Sequence, residues 1–235
     1  MADLTAMNLE RSATGPGGRF YGVSVALVMD VTDPDGQGRV RIRLPWSPDP
    51  GGSQYEAWAR VATLMAGADR GTWFIPEVDD EVLVAFEHGD MRRPYVVGAL
   101  WNGQDTPPET MDGAGNNFIK SITSRNGVKI TLDDNDGQEK MILETPGGQK
   151  LTLQDGPGKV EIVDSNGNSV TLDSGGISVV ASVKVSVRAS TVEVNASMVT
   201  VNAAMSKFSG VVQCDTLISN SVISATYSPG AGNIW

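Results

Sequence analysis

Residues 185–205 read VSVRASTVEVNASMVTVNAAM. Valines stand two apart in pairs, Val185/Val187, Val192/Val194 and Val199/Val201, and the pairs recur every seven residues. A two-residue beat is the period of a strand, whose alternate side chains share a face. Ala, Ser, Thr and Asn fill the gaps, and no Gly or Pro turns the chain. The stretch is too apolar for a solvated linker and too thin to build a core. Something outside it must cover the valines.

The same grammar reaches back to residue 127. The pairs Ile130/Leu132, Leu151/Leu153, Val160/Ile162, Val170/Leu172 and Ile177/Val179 lie near ten residues apart, and the spacing falls to seven or eight by Val185. A period this short is one strand and one turn. The early turns pass through Gly (Asp136-Gly137, Gly147-Gly148, Asn166-Gly167, Gly175-Gly176), the later ones through Ala-Ser and Asn-Ala. Every lysine lies after residue 119, on outward positions, and only five charges fall in the last 62 residues. After Trp101 the only aromatics are Phe118, Phe208, Tyr227 and Trp235.

A hairpin ladder of one chain would expose a face of Val and Ile and two open edges. Three chains about one axis remove both problems: inward aliphatics meet at the axis, and backbone groups pair with neighbouring layers. The expectation is an intertwined trimeric β-helix over residues 127–226, each strand moving on to the next side of a triangular prism. About twelve layers at about 4.8 Å give a rod roughly 55–60 Å long.

The N-terminal half obeys different rules. Residues 1–18 are polar and end in TGPGG, a flexible arm. Residues 19–105 carry short alternating runs: YGVSVALVMDV (21–31), RVRIRL (39–44), EAWARVATLM (56–65), EVLVAF (81–86) and PYVVGAL (94–100). In RVRIRL, Val40, Ile42 and Leu44 face in and Arg39, Arg41 and Arg43 face out, and Pro45-Trp46 ends the run. Asp35-Gly36 marks a hairpin turn. Four of the five tryptophans (Trp46, Trp58, Trp73, Trp101) fall here. This predicts a small closed barrel with an aromatic core. Residues 106–126 form a linker and entry strand, and 227–235 a tip.

The totals narrow the function. The chain has 235 residues and a net charge of −10, a poor match for nucleic acid or anionic lipid. One cysteine, Cys214, allows no intrachain disulfide, and one histidine, His88, allows no zinc site of the usual Cys/His kind. The N-terminus lacks the basic-then-apolar pattern of a signal peptide, and no stretch approaches 18 apolar residues. The expectation is synthesis in the cytoplasm.

Residues 38–46 (GRVRIRLPW), 58–67 (WARVATLMAG), 75–90 (IPEVDDEVLVAFEHGD) and 92–103 (RRPYVVGALWNG) resemble the oligonucleotide/oligosaccharide-binding-fold (OB-fold) domain of contractile-machine spikes. That family comprises phage baseplate assembly protein V and the VgrG spikes of type VI secretion. The short-period repeat that follows is similar to the trimeric β-helix of those spikes. The resemblance implies a homotrimeric central spike of a phage tail, tailocin or extracellular injection particle that caps the tube and pierces the target envelope. It implies no enzyme activity, no cofactor and no nucleic acid. It implies partners: two further copies of the chain, a baseplate hub protein, a PAAR-type tip cap or effector, and the envelope in passing. Particle assembly would follow at a baseplate.

Three departures stand out. Asp79 occupies the place after PEV where the family commonly has Gly. No VgrG-type hub region precedes residue 20, so a separate hub protein is expected. No His follows His88, so the His-x-His iron site of some spike tips does not carry over; an ion on the three-fold axis is left open.

Candidate chemistry is sparse. DDNDGQEKMILE (133–144) misplaces the Gly of an EF-hand and reads as a polar turn. His88 lies in a turn without partners for a triad or a metal. Glu77, Asp79, Asp80 and Glu81 cluster at a strand entry, a structural place. Cys214 reads as a packed strand residue. No residue is therefore assigned as catalytic or metal-binding. Arg39, Arg41 and Arg43 are candidates for facing the hub or a neighbouring chain, with solvation the competing reading. Asn233, Ile234 and Trp235 are candidates for cap or effector docking, with sealing of the rod's own core the competing reading. A trimeric tail fibre or adhesin that binds a receptor is the alternative function; a carbohydrate- or nucleic-acid-binding OB protein fits the charge poorly.

Overall fold

The computed structural model describes residues 19–48 and 53–226. The tip candidates Asn233, Ile234 and Trp235 and the arm at residues 1–18 lie outside the described residues. The chain divides into two units, residues 1–184 and 185–235.

The first unit opens with β1 (Val23–Asp30), β2 (Val40–Pro48), β3 (Gln54–Val61), β4 (Ala66–Gly67), β5 (Arg70–Gly71), β6 (Glu81–Phe86) and β7 (Pro94–Ala99). Five of these close a barrel in the order β1-β2-β3-β7-β6. β1 pairs with β6 to shut it, and only β3 and β7 run parallel. Closure leaves no edge to cap. Alternation builds the core: Val40, Ile42 and Leu44 of β2 and Val82 and Val84 of β6 are fully buried, with Ala26, Val28 and Ala59.

Two details differ from the sequence reading. β2 does not stop at Pro45-Trp46 but runs to Pro48, with a register shift between Leu44 and Pro48. A proline cannot donate to a ladder, so it sits where the pairing is irregular. The core is aliphatic, not aromatic. Phe86 is its one buried ring, Phe20 and Trp46 pack on its margin, and Trp73 and Trp101 are exposed. Small β-branched side chains fill five tightly closed strands with no room for an indole.

Seven strands follow: β8 (Ile119–Thr123), β9 (Lys129–Asp133), β10 (Lys140–Glu144), β11 (Lys150–Gln154), β12 (Lys159–Val163), β13 (Ser169–Asp173) and β14 (Gly176–Val180). They form one sheet in chain order, every neighbour antiparallel. This corrects the path expected from the sequence. Over residues 119–180 each strand folds back on the one before it and does not move on to another side. The cause is turn chemistry. Gly127, Gly137, Gly148, Gly167 and Gly176 all take positive φ. That left-handed conformation is nearly free for glycine, and it reverses the chain.

In the second unit, Val185 to Thr226 form no strand among the described residues. The chain is extended and bends at Ser190, Ser197 and Ala204, seven residues apart. No positive-φ residue interrupts it until Gly210. Without reversing turns, a strand here has no neighbour from its own chain.

Candidate functional site: an unpartnered apolar face

The register decides which side chains share a face of the β8–β14 sheet. Ile130 lies opposite Leu143, and Leu132 opposite Met141. Leu143 lies opposite Leu151, and Met141 opposite Leu153. Leu151 meets Ile162 and Leu153 meets Val160, and the rows continue through Val170 and Leu172 to Val179 and Ile177. All five pairs read as inward from the sequence fall on this one face, joined by Met141 and Leu143. The face is uncovered: Ile130, Leu132, Leu153, Ile162, Leu172, Ile177 and Val179 are all exposed.

The opposite face is polar. Thr131, Ile142, Thr152, Glu161, Thr171 and Ser178 form its central row, polar but for Ile142, flanked by cross-strand charges such as Lys129 opposite Glu144 and Lys140 opposite Asp133. The Lys129 ammonium is 2.5 Å from the Glu109 carboxylate, and Lys159 is 3.1 Å from Glu161. The long lysine stems cover this side, and Thr131 and Thr152 are buried there. The polar face is half-buried under its own charged side chains, and the apolar face is the more exposed of the two.

The second unit repeats the pattern. Val185, Val192 and Val199 are 60%, 62% and 63% exposed, and Val187, Val194 and Val201 are 71%, 68% and 70% exposed. The same value every seven residues means that the backbone path repeats. Phe208 occupies the place of Val194 and Val201, one turn of the pattern later.

The three arginines have different surroundings. Arg39 is engaged within its own chain: its guanidinium is 2.6 Å from Asp33 and 2.5 Å from Asp35, and it lies over the Trp58 ring at 5.7 Å. The Asp33 carboxylate also accepts backbone N–H bonds from Asp35, Gln37 and Arg39. The Arg39 guanidinium, then these N–H groups, hold its pKa well below the usual carboxylate range against the opposing push of desolvation. Arg41 reaches Asp30 at 3.5 Å and Glu56 at 3.6 Å. Arg43 has no ion-pair partner among the described residues, and its Nε is buried without a hydrogen bond.

The carboxylate cluster is put to structural use. Glu77 bonds Arg125 at 2.8 Å, tying the barrel to the β8–β9 turn. The Asp80 carboxylate accepts the Glu77 N–H. Asp79 takes φ +75, the left-handed conformation that glycine adopts most easily, while its N–H bonds the Val28 carbonyl. His88 is exposed, at φ +50, in a 3-10 turn over Glu87–Gly89. In the 133–144 loop, the Asp133 carboxylate accepts the Asn135 N–H and Glu139 accepts that of Gly137. Among the described residues no group of three His, Cys, Asp or Glu side chains is placed to hold a metal. Cys214 is exposed. No described helix is long and apolar enough to cross a membrane.

Sequence reasoning passed over an apolar cluster on the barrel: Leu64, Met65, Trp73 and Phe74 are exposed around the β4–β5 hairpin. The run TLM…TWF was the available signal.

Comparison with known proteins agrees with this geometry. Residues 24–101 match the type VI secretion system/phage-baseplate injector OB domain, and residues 140–206 match the phage baseplate V C-terminal trimerisation domain. The type VI secretion system spike protein VgrG2a of Pseudomonas aeruginosa is 33% identical over 158 residues, 63% of this chain and 18% of its own. VgrG1b of the same organism is 29% identical over 127 residues, 51% of this chain and 17% of its own. The actin cross-linking toxin VgrG1 of Vibrio cholerae is 28% identical over 128 residues, 50% of this chain and 12% of its own. The chain belongs to the phage baseplate V/VgrG-like spike family: an all-β protein with an OB-fold barrel and a C-terminal trimerisation domain. It spans less than a fifth of the length of these relatives.

Proposed function

We propose that three copies of this chain form the central spike of a contractile injection apparatus, such as a phage tail, a tailocin or an extracellular injection particle. One observation carries the reading: the aliphatic rows of β9–β14 share a single uncovered face, and β10–β14 fall within a stretch that matches a trimerisation domain. Three such faces turned inward give each chain the interior it lacks, and the lysine-lined faces meet water.

The work of such a spike is mechanical. It caps the tube, and the C-terminal end meets the envelope first when the apparatus contracts. The ladder resists bending because its hydrogen bonds must break together. The OB barrel serves as the collar held by a hub protein, with Arg41 and Arg43 the arginines freest to meet acidic hub groups. Asn233, Ile234 and Trp235 are proposed to dock a PAAR-type cap or an effector. An axial ion is compatible with a trimer and unassigned to any residue.

The test is in the assembled apparatus. Particles carrying Ile162→Asp, which places a carboxylate on the inward face, should lose envelope penetration while tube and sheath still form. Undiminished penetration by a chain shown to be monomeric would overturn the reading.

A further inference from the structure

The heptad rule of the second unit stops at Gly210. Bends fall at Ser190, Ser197 and Ala204, then at Ser209 and Gly210, and from Gly210 on at Asp215, Asn220 and Ala225, five residues apart, with Thr226 continuing the last. The sequence can be cut to match: VVQCD (211–215), TLISN (216–220), SVISA (221–225). The corners repeat as well. The Ser219 hydroxyl donates to the Ser221 carbonyl and accepts the Ser221 N–H; five residues on, Ser224 does the same with Thr226. Cys214 holds the equivalent corner one step earlier. Gly210 itself takes φ +152, where a side chain is strained, and a Cβ there would meet nothing within 4 Å. The glycine serves backbone conformation, not close packing.

Exposure tells which side chains turn in. In the second place of each five, Val212, Leu217 and Val222 are 61%, 73% and 62% exposed, the values of the heptad valines. In the third place, Ile218 and Ile223 are 93% and 98% exposed. A continued seven-residue register would instead carry the Val185 and Val187 places to Gln213, Asp215 and Asn220, and only Val222 would be inward in both registers. That would set a carboxylate and two amides among the valines, unpaired.

We infer that the trimer interface runs past the matched trimerisation domain and changes register at Gly210, from seven-residue layers with two inward side chains to five-residue layers with one. The occupant facing Val212, Leu217 and Val222 is the same segment of two further copies. Continuity argues for it: the matched domain ends at residue 206, inside the heptads, and the inward valine positions carry on through Phe208 into the five-residue layers. Two residues fewer per layer shorten each side by roughly 6–7 Å, so the trimer narrows over these layers. The inference rests on the trimer of the proposed function.

The test uses the full chain with Cys214→Ser as background, so that each introduced thiol is unique. Leu217→Cys, Ile218→Cys and Asn220→Cys are each made, the mass is checked by sedimentation, and the protein is oxidised with copper phenanthroline. Leu217→Cys should give an interchain disulfide band, and Ile218→Cys and Asn220→Cys should not. In parallel, a maleimide should label Leu217→Cys roughly tenfold more slowly than Ile218→Cys, since burial limits thiol access. A trimer that cross-links at 220 and not at 217 would show the seven-residue register continuing. A trimer that labels and cross-links equally at 217 and 218 would show no ordered interface there. Either result sinks the register change and leaves the trimer standing. A monomeric mass for the unsubstituted chain sinks both.

Discussion

The barrel and the β8–β14 sheet are built from the same material, alternating aliphatic strands of five to nine residues. Their fates differ. In the barrel, β1 finds β6, the sheet closes, and Val40, Ile42 and Leu44 lose all contact with water. In the sheet, β8 and β14 remain open edges, and the equivalent side chains of β9–β14 stay exposed or half-buried, none fully covered. Alternation decides which residues share a face. Closure decides whether that face is covered. A strand pattern can therefore be satisfied in secondary structure and still need another chain.

The sharpest way to break this comparison is to charge the face said to need partners. Ile162→Asp should abolish the trimer, because three carboxylates would be brought together among aliphatic side chains; the cost is several kcal/mol per chain. Sedimentation would show it, and the tryptophan fluorescence of the barrel should persist. Next in size is the mirror experiment. Ile42→Ala empties part of a core that the chain supplies itself, and should cost the barrel about 2–5 kcal/mol in denaturant unfolding while the mass stays that of a trimer.

Acid separates the regions more gently. Asp164 accepts N–H and side-chain amide bonds from Asn168 and Asn166 in the β12–β13 turn, with Asn168 the larger cause, and its pKa falls to about 2. Because the folded value is depressed, this support is fully present above the unfolded value of about 4 and is lost as pH falls from about 4 to 2. Asp164→Asn should flatten part of that decline in the thermal midpoint of the ladder. The smallest effect is Asp79→Gly. It relieves a left-handed non-glycine residue and should stabilise the barrel by up to about 1 kcal/mol, read from the denaturant midpoint.

Much of this was legible in the sequence because side-chain period is local. The pairs Ile130/Leu132 through Ile177/Val179 could be placed on one face from spacing alone, as could Val40, Ile42 and Leu44. What was not legible depended on chain direction. Gly-Gly and Asn-Gly turns reverse a strand and Ala-Ser corners do not, yet both give the same short period. The hairpin path of β8–β14 was therefore missed, though the glycines were in plain view. The sequence leaves Arg39 open to a hub, a neighbouring chain or water because its partners, Asp33 and Asp35, come to it only when the β1–β2 turn folds. The exposed Trp73 and Trp101 show that counting tryptophans does not locate them. The five-residue layers went unread because one inward aliphatic among Ser, Thr and Asn is too faint a signal without the bends beside it.

The central claim is that the C-terminal half has no interior until three chains share one. Sedimentation equilibrium of the intact protein tests it most directly. The account predicts a single species with the mass of three 24.8 kDa chains, held on dilution into the nanomolar range. A monodisperse species of one chain that keeps its β-sheet circular dichroism would contradict it.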